Sequence, residues 1–516
     1  MKRYRSFIFI TVIIVMLSTL STLVSPVMVQ VWSRSEGGLS ASRIAMLCGI
    51  LLISGLLEIL CFWLREHFAK NFNIANCKAF LGLFWGMEYD KINEAGSLSL
   101  TAKIRQAVND FYMYYVNGKI NLIVSTIILG VILCLAFFYN NLIFWILLSL
   151  ALVNILGYKA LNKELLVRSK KLQEDTSSGW QEINQIISNT DYIKQLHTEK
   201  YLFEQMEPSI QKIYTSMKNI NLFAQTVSHS IMVFNNLCET FIMMFLVFRF
   251  FQNSENAYSL VLYTVLLPLF SAHLNKVVNV NLDKRNLLVS KDFIHEMEQS
   301  RERCGKEQIR EISKIRFDFP EWENGFVHFQ PIEEEFTKGD IVQVKGKSGC
   351  GKSTLMKFLP QFWKTHHIQL NGCSLEEIDL QACRRLVNYV PQQSPIIKGT
   401  LRDNLFLGCP YSSQAEQQMA ACPVLESIFR SKNMDSQITE NGGNLSGGER
   451  QKIAFAREIF SEADVFIFDE ITSNIDIETA REIYQAIQNF HNDKIIFIIS
   501  HDSIAETICN RQIILS

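Results

Sequence analysis

The sequence predicts a multidomain membrane protein, in which an all-α domain of six transmembrane helices precedes an α/β domain built on a doubly wound sheet. Long apolar segments recur through roughly the first half of the chain. Each approaches the ~20 residues that a membrane-spanning helix needs. The second half instead carries short apolar strands that end in glycine, carboxylate, amide or imidazole residues, an arrangement typical of open parallel sheets. With 516 residues, the chain is long enough for both domains.

Composition and charge agree with a protein that is partly embedded in a membrane. Hydrophobic residues make up 48% and charged residues 20% of the chain, and the charged share is slightly below the average of soluble proteins. A formal net charge of −1 gives no electrostatic basis for a nucleic-acid partner. The 12 cysteines include no C-x-x-C pair, so the sequence predicts neither a zinc site nor a disulfide framework.

Six apolar segments are predicted to cross the membrane. The first follows a basic start at residues 2–5, is too long for a signal peptide and has no small-residue cleavage site. The later segments reach a spanning length alone or together with their flanks. The six predicted spans cover residues 6–32, 44–64, 120–138, 142–156, 231–251 and 260–270.

The distribution of basic residues predicts the orientation of these helices. The long segments between helices two and three and between helices four and five are rich in Lys and Arg, whereas residues 139–141 and 252–257 contain neither. Cytoplasmic loops carry the excess of Lys and Arg, so both long segments and both termini are predicted to be cytoplasmic. These segments are also compatible with helix, and we expect membrane helices that extend beyond the bilayer as two cytoplasmic hairpins.

Two carboxylates interrupt the apolar segments, Glu58 in the second and Glu239 in the fifth. Ionised groups are costly inside a bilayer and usually face the interior of a helix bundle or a watery cavity. One interpretation is that Glu58 and Glu239 line a polar path for a substrate. The other is that the polar residues of these helices pair with one another or lie in the cytoplasmic extensions. The sequence leaves both interpretations open.

The composition divides the chain near residue 300. From about residue 290 the sequence becomes rich in Lys, Glu and Arg, and short apolar runs typical of strands follow. We therefore predict a membrane domain at residues 1–300, a linker at 301–314 and a soluble domain at 315–516.

The soluble domain contains a phosphate-binding loop between a predicted strand at 341–344 and a predicted helix at 355–359. The loop fits the pattern G-x-x-x-x-G-K-[ST], for which a glycine-rich turn is the ordinary alternative. In such a loop the backbone N–H groups and the helix N-terminus surround phosphate, while the lysine reaches the β- and γ-phosphates and the serine can ligate Mg²⁺. The predicted nucleotide-binding residues are Gly346, Lys347, Ser348, Gly349, Cys350, Gly351, Lys352, Ser353 and Thr354.

Polar groups at the ends of three further predicted strands point to the same site. Gln392 follows a strand and can reach Mg²⁺ or the attacking water, and His501 follows another. Asp469 and Glu470 end a fully apolar strand, which places one carboxylate near Mg²⁺ and the second near the γ-phosphate as a base for water. Ser446 and two glycines open a helix, which gives a second anion-binding N-terminus.

With these motifs in this order, the chain resembles an ATP-binding cassette (ABC) transporter of the exporter type, over nearly its whole length. In this family a half-transporter joins a six-helix membrane domain to one α/β P-loop NTPase domain, the ABC ATPase. Residues 346–354 match the Walker A motif, Gln392 the Q-loop, and His501 the switch histidine. Asp469 and Glu470 match the Walker B motif with its glutamate, and Asp476 matches the D-loop. The family signature matches at Leu445, Ser446, Gly447, Gly448 and Glu449.

The resemblance implies ATP and Mg²⁺ as cofactors and a second copy of the chain as partner. In the family, the signature of one cassette closes over the ATP held by Walker A of the other, so Ser446 and Gly448 would act in trans. Ser353, Gln392 and Asp469 would then hold Mg²⁺, while Glu470 and His501 would be catalytic. The helices that couple the cassette to the membrane domain would lie near residues 96–104 and 189–197.

One part of the pattern departs from the family. Exporters stack adenine on an aromatic residue about 25 residues before Walker A. Here Phe319 is the nearest match and Trp322 is a competitor, and the strand region at 326–336 is divergent. We therefore expect Phe319 to contact adenine.

The resulting functional hypothesis is ATP-driven export by a homodimer in a bacterial plasma membrane, surrounded by lipid. The unknown exported substrate is expected to be a peptide or an amphiphilic small molecule, and a lipid flippase of the same architecture is the alternative. An ATP-gated regulatory protein that does not pump would be favoured by degraded catalytic or signature residues, and all are intact. A soluble kinase fused to an anchor is disfavoured by the signature and by the six apolar segments.

Overall fold

The computed structural model divides the chain into two compact units, Met1–Arg301 and Glu302–Ser516. Each unit has its own hydrophobic clusters. The structure describes residues 2–33, 40–187, 194–195, 199–252, 257–324, 327–407, 411–458, 461–473, 475–490 and 493–515.

The N-terminal unit is helical wherever it forms regular structure in its described part. Four of its helices have 43 to 53 residues, about twice the length that spans a bilayer. The helices extend beyond the predicted spans, as the sequence indicated. They are α1 (Lys2–Ser33), α2 (Ala41–Trp85), α3 (Tyr89–Ala95), α4 (Ser97–Tyr112), α5 (Lys119–Tyr139), α6 (Asn141–Ile187), α7 (Glu199–Phe251) and α8 (Ala257–Gln299), with a π-helical turn at Met113–Gly118.

Not every predicted span is equally apolar. Among the described residues, four helical stretches are long and apolar enough to cross a membrane, in α1, in α2, in α4–α5 and in α7. The apolar part of α6 is shorter, at Asn141–Gly157, and α8 carries His273, Asn275 and Lys276 directly after its predicted span. Membrane crossing by α6 and α8 thus stays a prediction.

Side chains of α5, α6, α7 and α8 form the larger hydrophobic cluster of this unit, and α2, α4 and α8 form a second one. Ile128, Ile132, Leu246 and Leu266 are among the fully buried members of the larger cluster. Two amides inside the bundle are paired across helices: the Asn154 amide donates to Asn235 Oδ1 at 2.9 Å, and the Asn235 amide donates back to Asn154 Oδ1 at 3.2 Å. Such pairing removes most of the cost of placing amides among apolar side chains.

The C-terminal unit is built on a parallel five-stranded sheet of order β13-β5-β12-β11-β8. A second, antiparallel sheet has the order β4-β1-β6-β7. The strands are β1 (Lys314–Phe319), β2 (Trp322–Asn324), β3 (Val327–Phe329), β4 (Ile332–Thr337), β5 (Ile341–Gly346), β6 (Ile368–Leu370), β7 (Cys373–Ser374), β8 (Val387–Val390), β9 (Gly399–Thr400), β10 (Gln437–Ile438), β11 (Val465–Asp469), β12 (Ile495–Ile499) and β13 (Arg511–Leu515).

Short helices complete this unit. The first, α9, follows β5 after a five-residue loop, and α14 begins at the predicted signature. The helices are α9 (Lys352–Phe358), α10 (Leu380–Leu386), α11 (Leu401–Leu405), α12 (Ser413–Ala420), α13 (Glu426–Phe429), α14 (Gly447–Glu458), α15 (Ile477–Phe490) and α16 (Ser503–Ile508).

The two faces of the parallel sheet are covered differently. Every residue of β11 and β12 is buried, as expected for strands covered on both faces. Phe466, Phe468 and Ile498 pack on one face with residues of α14 and α15. Ile467 and Phe497 pack on the other with the antiparallel sheet and α9. The predicted α/β class is confirmed, and on one face of the sheet an antiparallel β-layer packs beside α9.

The aromatic contact between the two sheets gives a stability prediction. Phe317 is fully buried, stacks on Phe497 with ring centroids 5.8 Å apart and meets Phe336 edge-on. Phe317→Ala should lower the free energy of unfolding of this unit by about 3–5 kcal/mol, because it leaves a cavity between the layers. Thermal unfolding of the full-length protein would show a midpoint several degrees lower. Ile514→Ala, at an exposed β13 position, is the control, and equal effects would contradict the prediction.

Candidate nucleotide-binding site

The carboxyl ends of four neighbouring parallel strands bring the predicted site residues to one edge of the sheet. β5 ends in the phosphate loop, β8 leads to Gln392, β11 ends at Asp469 and β12 is followed by Ser500 and His501. Strands β5, β12, β11 and β8 are consecutive in the sheet. Ligands of open α/β sheets bind beyond this edge.

The phosphate loop depends on its glycines. A side chain at Gly346 would place Cβ 2.6 Å from both Cys350 Sγ and Leu515 O, so no larger residue fits beside β13. Gly349 and Gly351 have φ values of 83° and 95°, a left-handed conformation that favours glycine. Lys352 begins α9, and its Nζ donates to the carbonyl oxygens of Gly346 at 2.9 Å and Lys347 at 3.0 Å. The lysine ammonium therefore lies against the loop itself.

The candidate Mg²⁺ ligands meet at the end of β11. Ser353 Oγ donates to Asp469 Oδ1 at 3.0 Å. The other carboxylate oxygen, Oδ2, accepts from the Tyr389 hydroxyl at 2.6 Å. A hydroxyl and a carboxylate beside a phosphate loop are hard oxygen donors of the kind that Mg²⁺ prefers. These residues fit the ion, and sequence reasoning missed Tyr389 because a tyrosine inside a strand reads as an ordinary core residue.

Gln392 contacts the predicted catalytic base directly. Its Nε2 donates to Glu470 Oε2 at 2.7 Å, and its backbone carbonyl accepts from Gln451 of α14 at 2.9 Å. Glu470 has a φ of 49°, uncommon for a residue with a side chain. Its backbone N–H donates to Ile499 O at 2.9 Å, so β12 supports this strained position.

A hydrogen-bond network that the sequence did not reveal supports the segment around His501. Thr472 Oγ1 donates to Asp502 Oδ2 at 2.7 Å and lies 2.8 Å from the Tyr484 hydroxyl. The Tyr484 hydroxyl donates to Ser500 Oγ at 3.0 Å. Thr472 follows Glu470 by two residues, so this network connects the segment after β11 to the segment that carries His501. The His501 side chain is exposed.

The predicted signature forms the N-terminus of α14. Ser446 Oγ accepts from the Glu449 N–H at 3.1 Å, and Glu449 Oε2 accepts from the Ser446 N–H at 2.7 Å. This is a capping box, which satisfies two backbone donors reciprocally. Glu449 also pairs with Lys432 Nζ at 2.7 Å. The Ser446 side chain remains exposed at the start of the helix, together with partly exposed Gly447 and Gly448.

The predicted D-loop residue has a structural role of its own. Asp476 accepts from both the N–H and the hydroxyl of Thr479, each at 2.8 Å, before the first turn of α15. The backbone hydrogen bond from Thr479, aided by its hydroxyl, lowers the pKa of Asp476 below its ordinary value. The carboxylate is thereby held as the cap of this helix.

The structure contradicts the expected contact between Phe319 and adenine. Phe319 is buried in the core of the C-terminal unit, where its ring packs against Phe358 and His367. A ring enclosed by the core cannot stack on a base. Trp322, the competitor, begins β2, and its side chain lies outside the described residues.

The residues predicted in the N-terminal unit lie at contacts between helices. Glu58 Oε1 accepts from Ser18 Oγ of α1 at 2.8 Å, and Glu239 accepts from the Ser271 hydroxyl of α8. Of the predicted coupling segments, residues 96–104 cover Gly96 and the start of α4. Most of residues 189–197 lie outside the described part of the chain.

A buried carboxyl lies at the end of α14. Glu458 Oε2 accepts a hydrogen bond from the amide of Asn388 of β8, which also donates to Ser461 Oγ at 3.2 Å. Burial raises the pKa of Glu458 to about 7, although Arg457 and Asn388 oppose the shift. This carboxyl therefore titrates near neutrality inside the folded unit.

Comparison with known proteins identifies the C-terminal unit. The sequence model described as "ABC transporter" matches residues 329–473. The lactococcin-A transport/processing ATP-binding protein LcnC of Lactococcus lactis subsp. lactis is 30% identical over 260 residues, which are 48% of this chain and 36% of that protein. An ATP-dependent lipid A-core flippase of Alkalilimnicola ehrlichii is 31% identical over 242 residues, 44% of this chain and 41% of that protein. The chain thus spans well under two thirds of these relatives.

The fold of the whole chain also has a counterpart. The structure of a bacterial Atm1-family ABC exporter with ATP bound matches with a TM-score of 0.84, at 16% identity, over 99% of this chain and 93% of that one. The fold is therefore that of an ABC exporter, and the family match implies that the C-terminal unit binds ATP. The apolar helices and this relationship mark the chain as a membrane protein.

Glu458 gives a pH prediction. Its folded-state pKa of about 7 exceeds the ordinary glutamate value of 4.5, so the folded state holds its proton more tightly. The stabilisation is complete below about pH 4.5 and is lost as pH rises towards 7, by up to about 3 kcal/mol. Glu458→Gln should make the C-terminal unit more stable above pH 7 and flatten this dependence in thermal unfolding between pH 5 and 8. Glu426→Gln, on an exposed helix, should not, and an unchanged profile for Glu458→Gln would contradict the assignment.

Proposed function

We propose that this member of the ABC transporter family, with the fold of an exporter, is one half of a homodimeric pump that couples ATP hydrolysis to export. One observation carries the proposal. A phosphate loop, a carboxylate pair and an exposed signature lie in the same unit, on a chain whose other unit has apolar helices of spanning length. A kinase on an anchor would need neither the signature nor more than one span.

The phosphates of ATP are assigned to the loop between β5 and α9. The backbone N–H groups of the loop and the N-terminus of α9 supply fixed positive dipoles. Lys352 Nζ lies within 3.0 Å of two loop carbonyls, close enough to exchange these neutral acceptors for phosphate oxygens. This lysine thus supplies the charge of the site and the loop supplies its shape.

Ser353 and Asp469 would hold Mg²⁺ together, with Gln392 as the third predicted ligand. When bound, the ion would neutralise charge that develops on the phosphates. The Ser353 hydroxyl and the Asp469 carboxylate are 3.0 Å apart, and Asp469 is buried, so its orientation is fixed by its neighbours.

Glu470 is assigned as the general base for the attacking water. It follows the last residue of β11 with a positive φ, and Gln392 contacts its carboxylate. Because the Gln392 carbonyl also accepts a hydrogen bond from α14, a shift of α14 or of the segment after β8 would move the amide that contacts Glu470. His501 is proposed to brace the γ-phosphate from the end of β12.

The site is proposed to be completed by a second copy of the chain. Ser446, Gly447 and Gly448 stand at an exposed helix N-terminus, a ready anion site. Closure of two cassettes around ATP would pull the membrane domains from one access state to the other, and hydrolysis would reset them. Both termini and both long helical hairpins are proposed to face the cytoplasm, on the basic residues of those hairpins.

The cargo is proposed to be a peptide or an amphiphilic small molecule. Relatives whose names describe transport and processing of lactococcins support the first. The lipid A-core flippase among the relatives keeps lipid as a second candidate. Glu58 and Glu239 are the proposed polar groups of the path. ATPase stimulation in lipid nanodiscs by a panel of peptides, amphiphiles and lipids would test this. Basal ATPase that no cargo stimulates and that drives no uptake into inverted vesicles would favour the regulatory protein.

Lys352→Ala should weaken ATP binding by about 10- to 100-fold, because a charge-assisted contact to phosphate is lost. Equilibrium binding of a fluorescent ATP analogue to the full-length protein would measure this. Lys364→Ala, on an exposed loop, should bind like the parent. If Lys352→Ala kept the parent's affinity, the phosphate loop would not be the binding site.

Glu470→Gln should lower the ATPase rate by about 100-fold or more while leaving ATP affinity unchanged, since a general base contributes in the transition state only. The rate of phosphate release at saturating ATP is the measurement. Glu478→Gln, exposed in the first turn of α15, removes a charge nearby without touching the site. A Glu470→Gln protein as fast as the parent would refute the assignment of the base.

A further inference from the structure

Asp469 is held from two sides by groups of different origin. Ser353 occupies Oδ1, and the Tyr389 hydroxyl occupies Oδ2 at 2.6 Å. Two hydrogen bonds to separate oxygens fix both the position and the plane of the carboxylate. Groups that orient a metal-binding carboxylate in this way strongly affect metal affinity. The resemblance assigns a role to Ser353 and Asp469 but none to Tyr389.

The ring of Tyr389 is in turn positioned by the segment that follows α9. Phe362 meets it edge-on, with ring centroids 6.0 Å apart at 88°. The Arg384 guanidinium of α10 lies 5.2 Å from the centre of the Phe362 ring, a distance at which cation–π attraction is effective. Arg384 also donates to the carbonyl oxygens of Pro360 at 3.0 Å and Gln361 at 3.3 Å. It therefore fixes the backbone that carries Phe362.

Arg384 is locked by the first residue of the C-terminal unit. Its Nη1 and Nη2 donate to the two carboxylate oxygens of Glu302 at 2.9 and 2.6 Å, a bidentate pair. The Glu302 side chain is only 16% exposed, so this pair is shielded from solvent more than an ordinary surface ion pair. Glu302 comes three residues after the end of α8, on the segment that connects the two units.

We propose that Tyr389 is a positioning residue for Asp469, and that Glu302 acts on it through Arg384 and Phe362. The segment that enters the cassette is thereby coupled to the carboxylate that would hold Mg²⁺. The inference rests on the proposed function and deepens it. Displacement of Glu302 releases Arg384, loosens Phe362 against Tyr389 and frees the Asp469 carboxylate to rotate. Mg²⁺-dependent nucleotide binding then becomes sensitive to the state of the connecting segment.

Tyr389→Phe tests the first step, since it removes the hydroxyl and keeps the ring against Phe362. Full-length protein in nanodiscs would be saturated with a fluorescent ATP analogue in EDTA and titrated with Mg²⁺. The free Mg²⁺ concentration at half-effect should rise about tenfold, whereas the affinity for the analogue in EDTA should stay unchanged. Tyr411→Phe is the matched control, because it removes a tyrosine–carboxylate bond to Glu416 outside the site. A Tyr389→Phe protein that titrates like Tyr411→Phe would overturn the inference.

Glu302→Gln tests the coupling. It should raise the half-effect concentration about threefold, and Arg384→Lys, which keeps the charge but loses the bidentate geometry, should do the same. Glu426→Gln, which breaks an exposed ion pair with Arg430, should leave it unchanged. The double variant Glu302→Gln/Tyr389→Phe should raise the half-effect Mg²⁺ concentration no more than Tyr389→Phe alone, because both substitutions act on the Asp469 carboxylate. Independent, multiplying effects would overturn the coupling.

The same titration separates this inference from the proposed function. A parent protein whose analogue binding does not respond to Mg²⁺ would argue against the proposed ATPase itself. A parent that responds, with Tyr389→Phe and Glu302→Gln indistinguishable from their controls, would refute only the role of Tyr389 and Glu302. Thermal unfolding midpoints of all variants would show whether a shift comes from loss of the fold.

Discussion

The burial of β11 and β12 on both faces is the constraint on which the functional half of the structure depends. Strands in this position can carry only apolar side chains, so polar chemistry is confined to the residues at which each strand ends. Asp469, Glu470 and His501 lie at those ends. The packing of these strands therefore fixes the distances between the site residues at their ends, and the loops supply further groups to the site. A cavity in this core, such as Phe317→Ala would leave, would disturb the strands that carry the site residues.

Sequence reasoning predicted most of the strand-end chemistry, because motif residues and apolar runs are read locally. Strand β5 begins at the predicted residue 341, and strands β8, β11 and β12 lie just before Gln392, Glu470 and His501, as the sequence indicated. The prediction that Phe319 contacts adenine was wrong because its neighbours in space, Phe358 and His367, are distant in sequence. Tyr389, Thr472 and Tyr484 were missed for the same reason, since a hydroxyl on an apolar strand or helix face becomes informative only when its partner is known. The antiparallel layer depends on pairings that no local pattern encodes.

The N-terminal unit illustrates how polar residues are accommodated between long apolar helices. Asn154 and Asn235 satisfy each other, and His273 Nδ1 lies 3.0 Å from Ser125 Oγ. Glu58 and Glu239 each accept from a serine of another helix. These partners are small hydroxyl residues that carry no signal of their own in the sequence. A single hydroxyl leaves most of the acceptor capacity of a carboxylate unused, which is compatible with the proposed path.

The capping box at the start of α14 has a consequence for chemical selectivity. The Ser446 hydroxyl oxygen already accepts the Glu449 N–H, so the side chain has chiefly its proton left to offer. A partner that approaches this surface can accept the hydroxyl proton, whereas only one of the two lone pairs remains for a donor. Serine and threonine are short enough to accept from the backbone N–H at a helix N-cap and still present a rotatable O–H. The capping box at the signature thus leaves a donor O–H at a helix N-terminus, where the helix dipole also favours an anion.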